Sequence, residues 1–129
     1  MATKVLDWPK HLVDELARNQ NNGRVGGRLV SETERVRVWY IALQPGERLG
    51  FHKHVLNYFW TVVLAGKGRS HYADGQVVET EYKTGDTKHL QFALGEFMIH
   101  DLENIGDTVL AFTTVEFKDS PNDPLPLTP

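Results

Sequence analysis

The sequence has no cysteine in its 129 residues, which excludes disulfide bonds, thiolate metal ligands and a cysteine nucleophile. It has no apolar run near the ~20 residues that span a bilayer. Its first stretch, MATKVLDWPKHLVDELARNQ, mixes charges throughout, unlike a secretory signal. The net charge of −3 offers no basic surface for nucleic acid. We therefore expect a soluble, cytoplasmic protein with neither membrane nor nucleic-acid partners.

One short helix is predicted near the start of the chain, over residues 7–19. Asp7 can cap this helix, and Pro9 suits its first turn. One side of the segment carries a single apolar stripe, formed by Leu12, Val13 and Leu16. The length of the chain fits one domain, in which we expect residues 1–27 to be this helix and a linker.

Beyond the helix, the pattern changes to short segments rich in β-branched and aromatic residues, separated by turn signals. The strongest of these signals, Ala73-Asp74-Gly75, predicts a tight hairpin. Such spacing favours an all-β sandwich or barrel over residues 28–118. The four prolines of residues 119–129 predict an extended arm on the surface or on a partner. Strands are expected at 35–43, 58–64, 76–83, 96–100 and 108–117.

The histidines carry the most informative pattern. His52 and His54 are separated by one residue, and in a strand such residues face the same way, roughly 6.5–7 Å apart along the chain. Two imidazoles at this spacing can converge on one metal ion. A third ligand must come from elsewhere. His100 is the candidate, and it shares a strand face with Glu96 and Met98 if that strand is regular.

Two segments of the sequence resemble the paired motifs of the cupin superfamily. The matching residues are Gly46, His52, His54 and Gly66 in the first motif, and Gly85, Gly95, His100 and Asn104 in the second. The resemblance implies a single-domain, jelly-roll-like barrel, the double-stranded β-helix, in which His52, His54 and His100 hold a divalent metal. In general look, the sequence is loosely similar to small cupins of small-molecule catabolism, including those associated with β-alanine degradation.

The sequence departs from that family in two places. Many cupins have a glutamate ligand four residues after the second histidine. This sequence has Tyr58 there, whose phenol, with a pKa near ~10, is a poorer ligand. The stretch from Gly85 to His100 is longer than usual, with Gln91 in place of the usual proline. The resemblance then implies a three-histidine site, as in some cupin dioxygenases, with Glu96 as a candidate replacement for the carboxylate.

Three functions follow from this site as hypotheses. The first is a metal-dependent enzyme of dioxygenase type that acts on a small organic molecule. Imidazole ligands suit several metals, and we expect Fe²⁺ first, with Zn²⁺, Ni²⁺ or Mn²⁺ as alternatives. The second is an isomerase or lyase that uses the metal as a Lewis acid. The third is a non-catalytic cupin that binds or senses a small molecule, with or without a metal, since fold alone does not choose.

Alternation along the strands extends the ligand face into an aromatic and apolar pocket that suits a small organic ligand. Tyr58 is the candidate acid or base beside the metal. The other pocket candidates are Tyr40, Trp60, His89, Gln91, Glu96 and Phe112. The same alternation places Trp39 and Ile41 on the opposite, outer face of their strand. The exposure of these two apolar side chains predicts a homodimer. Solvated side chains are expected at His11, His71, Arg35, Arg37 and Arg48.

Overall fold

The structure, a computed structural model, describes residues 5–127. A single 3-10 turn at Val5–Asp7 precedes one α-helix, α1, at Lys10–Arg18. Nine strands follow: β1 Arg28–Glu32, β2 Val36–Leu43, β3 Arg48–His54, β4 Tyr58–Leu64, β5 Gly66–His71, β6 Val77–Tyr82, β7 Thr87–Leu90, β8 Met98–Asn104 and β9 Leu110–Phe117. The predicted all-β class with one short helix is confirmed.

The strands form two antiparallel sheets that face each other. The five-stranded sheet has the order β1-β2-β9-β4-β7, and the four-stranded sheet has the order β3-β8-β5-β6. A hydrophobic core fills one end of the space between them. Its buried members are Ile41, Leu43, Val62, Leu102, Leu110 and Phe112.

The predicted hairpin at residues 73–75 is confirmed, because it joins β5 to the antiparallel β6. The Tyr72 N–H donates to the Gln76 carbonyl at 2.8 Å, and Gly75 has a φ of +96°, a conformation that favours glycine. The predicted segments other than 96–100 agree with strands to within two residues. The strand predicted at 96–100 begins later, at Met98, and continues to Asn104.

The inward face of β2 is the opposite of the predicted one. Trp39 and Ile41 are buried, at 0% and 6% exposure, instead of lying on an outer surface. The Trp39 indole N–H donates to the carboxylate of Glu116 at 2.7 Å. Gly26 makes room for this ring, since a Cβ there would lie 2.5 Å from the Trp39 Cβ. The predicted exposure of Trp39 and Ile41 is therefore wrong, and these two residues give no support to a homodimer.

Arg37 also lies on this inner face. Because charged and apolar residues alternate at the start of β2, the sequence pattern predicts the opposite orientation, with Arg37 in solvent. Its side chain is buried instead of solvated. The guanidinium donates to the Glu32 carboxylate at 2.9 Å and to the Leu125 carbonyl at 3.1 Å. The second contact holds the C-terminal arm against the chain's own barrel.

Helix α1 lies on the outside of the four-stranded sheet. It begins at Lys10 after Pro9, while Asp7 belongs to the 3-10 turn and does not cap it. Leu12 and Leu16 are buried and join an apolar cluster whose other buried members are Trp8, Phe51 and Ile99. In the described part of the chain, no helix has the length and apolarity needed to cross a membrane.

Candidate metal site and pocket

Three histidines converge on the inner face of the four-stranded sheet. His52 and His54 lie on β3, and His100 lies opposite His52 on the neighbouring β8. One ring nitrogen from each lies within 4.8 Å of the other two. The Nε2 atoms of His54 and His100 are 3.2 Å apart. Among residues 5–127, no carboxylate joins this group.

The backbone fixes which nitrogen of His52 points toward the group. The Nδ1 atom lies 2.8 Å from the carbonyl oxygen of Gly50, which can only accept a hydrogen bond. Nδ1 therefore carries the proton, and Nε2 keeps its lone pair for another partner. This arrangement, in which a carbonyl holds the far nitrogen of an imidazole, is common behind metal-binding histidines.

The three imidazoles are neutral at ordinary pH. Burial lowers the pKa of His52 to about 4, against smaller opposing effects. Burial also lowers the pKa of His54 and His100 well below their usual value, and the neighbouring imidazoles add to this shift. Neutral imidazoles are the form that binds a metal, because a protonated ring has no free lone pair.

The close approach of two ring nitrogens also fits a cation. The Nε2 atoms of His54 and His100, 3.2 Å apart, place one lone pair against another unless a proton or a cation lies between them. Three neutral nitrogen donors in mutual reach therefore suit a divalent metal ion, whose identity the donors do not select.

A cavity of about 400 Å³ opens beside the histidines, between the two sheets. Of the predicted pocket residues, the structure places Tyr58, Trp60 and Phe112 in its wall. The remaining apolar and aromatic wall residues are Val25, Ile41, Leu49, Tyr72, Val78, Tyr82, Leu90, Met98 and Leu102. The polar wall residues other than histidine are Ser70, Thr80, Lys88 and Thr114. Within the described residues, no carboxylate lines the cavity.

Comparison with known proteins agrees with this architecture. No protein-family model matches the chain. Among curated proteins, the chain is similar to oxalate decarboxylase OxdC of Bacillus subtilis, with 33% identity over 81 residues. That match covers 61% of this chain and 20% of the relative, so the chain spans about a fifth of the relative's length.

Two solved structures resemble the chain over most of the barrel. A cupin domain from Bordetella pertussis has a TM-score of 0.62 and 24% identity, and the match covers 70% of this chain and 90% of that one. The chain has the cupin fold. A conserved protein with a double-stranded β-helix domain from Klebsiella pneumoniae has a TM-score of 0.53 and 26% identity, over 67% and 70% of the two chains.

Tyr58 lies beside His54 in the cavity wall of this cupin-fold protein. Its ring stacks on that of His54, with centroids 4.1 Å apart and an angle of 10° between the planes. Burial raises its pKa far above the usual value for a phenol. The hydroxyl is therefore neutral, and Tyr58 can donate a hydrogen bond into the cavity but does not supply a charged ligand.

Four predicted pocket residues do not line this cavity. Tyr40 is on the outer face of β2, because the inward face of that strand is Trp39 and Ile41. His89 and Gln91 are exposed and line a separate open cleft. On β7 the residues that face the cavity are Lys88 and Leu90. The sequence holds one sign of this orientation, because Leu90 is apolar and lies between two polar residues.

Glu96 is the fourth of these residues, and it does not supply the missing carboxylate. It lies in an exposed turn before β8 begins, so the strand alternation does not extend to it. Its carboxylate instead accepts from the Ala93 N–H at 2.6 Å and closes that turn.

A polar network behind the ligand strands was missed by sequence reasoning, which expected His71 and Arg48 to be solvated. Asp101, the neighbour of His100, is 0% exposed. It accepts from the Arg48 Nε at 2.7 Å and from the His71 Nδ1 at 3.0 Å. Arg48 also reaches Glu15 of α1. The partners lie 30 to 53 residues apart in sequence, so no local pattern could have linked them.

Proposed function

We propose that this cupin is a metal-dependent enzyme of three-histidine, dioxygenase type that acts on a small organic molecule. The observation that carries the proposal is a cluster of three neutral imidazoles, two buried and that of His100 half-buried, in the wall of an apolar cavity. His52, His54 and His100 would hold the ion, for which we propose Fe²⁺. When bound, such an ion supplies Lewis-acid chemistry and, if it is redox-active, electron transfer.

The chain's own residues suit the binding of an anionic molecule with an apolar body. Lys88 is the one acidic or basic side chain besides the histidines among the described residues of the cavity wall. It lies at the edge of its sheet, on the strand beside Trp60. An ammonium group without a carboxylate beside it favours an anion. The aromatic wall, including Tyr82 and Phe112, would exclude water from the rest of the molecule.

A binding or sensing cupin is the second candidate function. The observation that favours it is the lack of a carboxylate acid or base in the described cavity wall. Tyr58 is the nearest candidate for that role, and its raised pKa keeps the phenol protonated, so it is not available as a base and is a weak acid.

The first experiment is metal analysis by mass spectrometry of protein purified without chelator or added metal. We expect close to one metal per chain in the parent and little in the double variant His52→Ala/His54→Ala. The matched control is His11→Ala/His89→Ala, which removes two exposed imidazoles and should keep the metal. If the parent contains little metal although it and the variant are both folded, the enzyme hypothesis is wrong and the binding or sensing function takes its place.

The outer face of the five-stranded sheet supports a homodimer on different grounds from those used on the sequence. The outward residues of its three central strands are uncharged: Val36, Val38, Tyr40, Ala42, Phe59, Thr61, Val63, Thr113, Val115 and Phe117. A two-fold interface brings a surface against its own copy, so a charge near the axis would meet a like charge. We propose that a second copy of this chain covers this face.

Light scattering coupled to size-exclusion chromatography tests the dimer. The parent should have the mass of two chains, and Phe59→Lys the mass of one. Leu94→Lys is the matched control, because Leu94 is 80% exposed and lies in the connection between β7 and β8, on none of the three central strands. A monomeric parent, or a Phe59→Lys variant that stays dimeric, would contradict the proposal.

A further inference from the structure

The polypeptide beside His52 is held by residues from outside its sheet. Between the pairs Leu49–Leu102 and His52–His100, the strands β3 and β8 lose register, so Gly50 and Phe51 lie opposite one residue. This is a β-bulge, which leaves backbone groups without ladder partners and changes the direction of a side chain. The side chain concerned here is that of His52.

Both backbone groups of Phe51 are satisfied by the N-terminal segment. The N–H donates to the Glu15 carboxylate at 2.9 Å. The carbonyl accepts from the side-chain amides of Asn19 at 3.1 Å and Asn22 at 3.0 Å. The next N–H on this edge, that of Lys53, donates to the Asn22 carbonyl at 2.7 Å. Helix α1 and the turn after it therefore replace a neighbouring strand along β3.

The Glu15 carboxylate is itself fixed. Two guanidinium nitrogens of Arg48 donate to its two oxygens at 2.8 and 2.7 Å. Arg48 in turn donates to Asp101, next to His100, so one chain of contacts reaches both ligand strands. The carboxylate also lies over Gly50, where a Cβ would be 3.2 Å from it. The carbonyl of Gly50 is the group that holds the His52 Nδ1.

We propose that Glu15, Asn19 and Asn22 are positioning residues for His52. By holding the Phe51 peptide, they fix the bulge, and the bulge places the Gly50 carbonyl that selects the tautomer and direction of the imidazole. The inference rests on the proposed metal site for its use in function. The orientation of the His52 imidazole does not itself require a bound metal, so it can be tested in metal-free protein. Docking of the helix also buries Leu12 and Leu16, which make none of these hydrogen bonds.

Metal-free protein gives the first test. Long-range ¹H–¹⁵N spectra should show one His52 tautomer in the parent, with the proton on Nδ1. Glu15→Ala and the double variant Asn19→Ala/Asn22→Ala should show a mixture of tautomers. Glu15→Gln keeps one acceptor for the Phe51 N–H and should fall between. A single Nδ1–H tautomer in whichever of the first two variants folds would overturn the inference, whether or not the protein binds metal.

Titration with Co²⁺ gives the second test and separates positioning from docking. We expect the Co²⁺ affinity to fall about 10- to 100-fold in Glu15→Ala, the usual cost of losing a group that orients a ligand, with a changed visible spectrum. Leu12→Ala is the control, because it weakens docking of the same helix; it should lower Tm but keep the parent affinity and spectrum. Loss of Tm without loss of affinity in Glu15→Ala would overturn the positioning role. A parent that binds no Co²⁺ would instead count against the proposed function, and the tautomer spectra would still decide the inference.

Discussion

Each of the two sheets of this cupin-fold protein buries a carboxylate, and the two carboxylates have different partners. Asp101, in the four-stranded sheet, has an arginine and a histidine as partners. Glu116, in the five-stranded sheet, has the neutral Trp39 indole as its hydrogen-bond partner, and burial raises its pKa to about 7. The sheet that carries the three histidines is thus supported from outside by a charged network. The opposite sheet is shaped mainly by apolar packing.

The difference separates two tasks of the cavity. The histidine side must hold three lone pairs in a fixed geometry, which directional hydrogen bonds from Arg48 and Glu15 can impose. The opposite side must fit a molecule, which shape and apolar area can do. Substitutions in the charged network behind the histidines should therefore change stability and metal binding together. Substitutions in the opposite wall should change ligand binding and stability while the metal site stays intact.

The largest effect is expected from Asp101→Ala. It leaves the guanidinium of Arg48, which is partly buried, without one of its two carboxylates, and the free energy of unfolding should fall by about 3–5 kcal/mol. Urea unfolding measures this change. Asp107→Ala, at an exposed site, is the control and should stay within ~0.5 kcal/mol of the parent. A loss below ~1 kcal/mol for Asp101→Ala would show that the network contributes no more than a surface ion pair.

A smaller loss of stability is expected from Phe112→Ala in the opposite wall. A buried phenylalanine truncated to alanine costs ~3–5 kcal/mol, and about 2–3 kcal/mol is expected here because one side of the ring already faces a cavity. Metal content should equal that of the parent. Phe97→Ala, at a half-exposed ring, is the control. Loss of metal in Phe112→Ala, with the protein still folded, would contradict the separation of the two walls.

The pH dependence of Glu116→Gln should sharpen the contrast between the carboxylates. The folded pKa of Glu116, about 7, lies above the ordinary value of 4.5, so the folded state binds the extra proton between these limits. The stability that this proton gives is present below pH 4.5 and is lost as the pH rises through 7. Glutamine stays neutral and keeps an acceptor for Trp39. The variant should match the parent at pH 4.5 and exceed it by ~1–3 kcal/mol at pH 8.

Urea unfolding of parent and Glu116→Gln at both pH values measures that gap. Glu103→Gln is a control in the opposite sheet, since its carboxylate is not buried. A gap that does not change with pH would mean that the pKa of Glu116 in the folded protein is not raised above its ordinary value.

The smallest effect is expected from Lys88→Met. With benzoate as a probe anion, calorimetry of the metal-loaded protein should show affinity about fivefold weaker than in the parent, the ~1 kcal/mol of a partly exposed charge pair. Metal content should not change. Lys83→Met is the control, on an exposed lysine that does not line the cavity. Equal benzoate affinity in the parent and Lys88→Met would remove the argument for an anionic molecule.

Sequence reasoning reached the histidine group because its signals are local. A spacing of two on one strand fixes a shared face, and the family resemblance supplied His100. It assigned the wrong face to β2, because the polar Arg37 was read as solvated when its charge is satisfied by Glu32 and the C-terminal arm. The same error of one residue on β7 predicted His89 in the cavity wall, where the structure has Lys88.

The positioning contacts lay beyond sequence reasoning for a different reason. Glu15 reads as one more charge on an exposed helix face, and its partners Arg48 and Phe51 are more than 30 residues away. A β-bulge adds a residue that no alternation rule anticipates. Glu96 failed as a ligand because a tight turn, not a strand, precedes Met98.

The most direct test of the central claim is a crystal structure of the metal-loaded protein with anomalous scattering measured at the absorption edge of the metal. We expect one strong peak per chain, bonded to His52, His54 and His100 at ~2.0–2.2 Å. A strong peak elsewhere, or none at these three imidazoles in protein that contains stoichiometric metal, would contradict it.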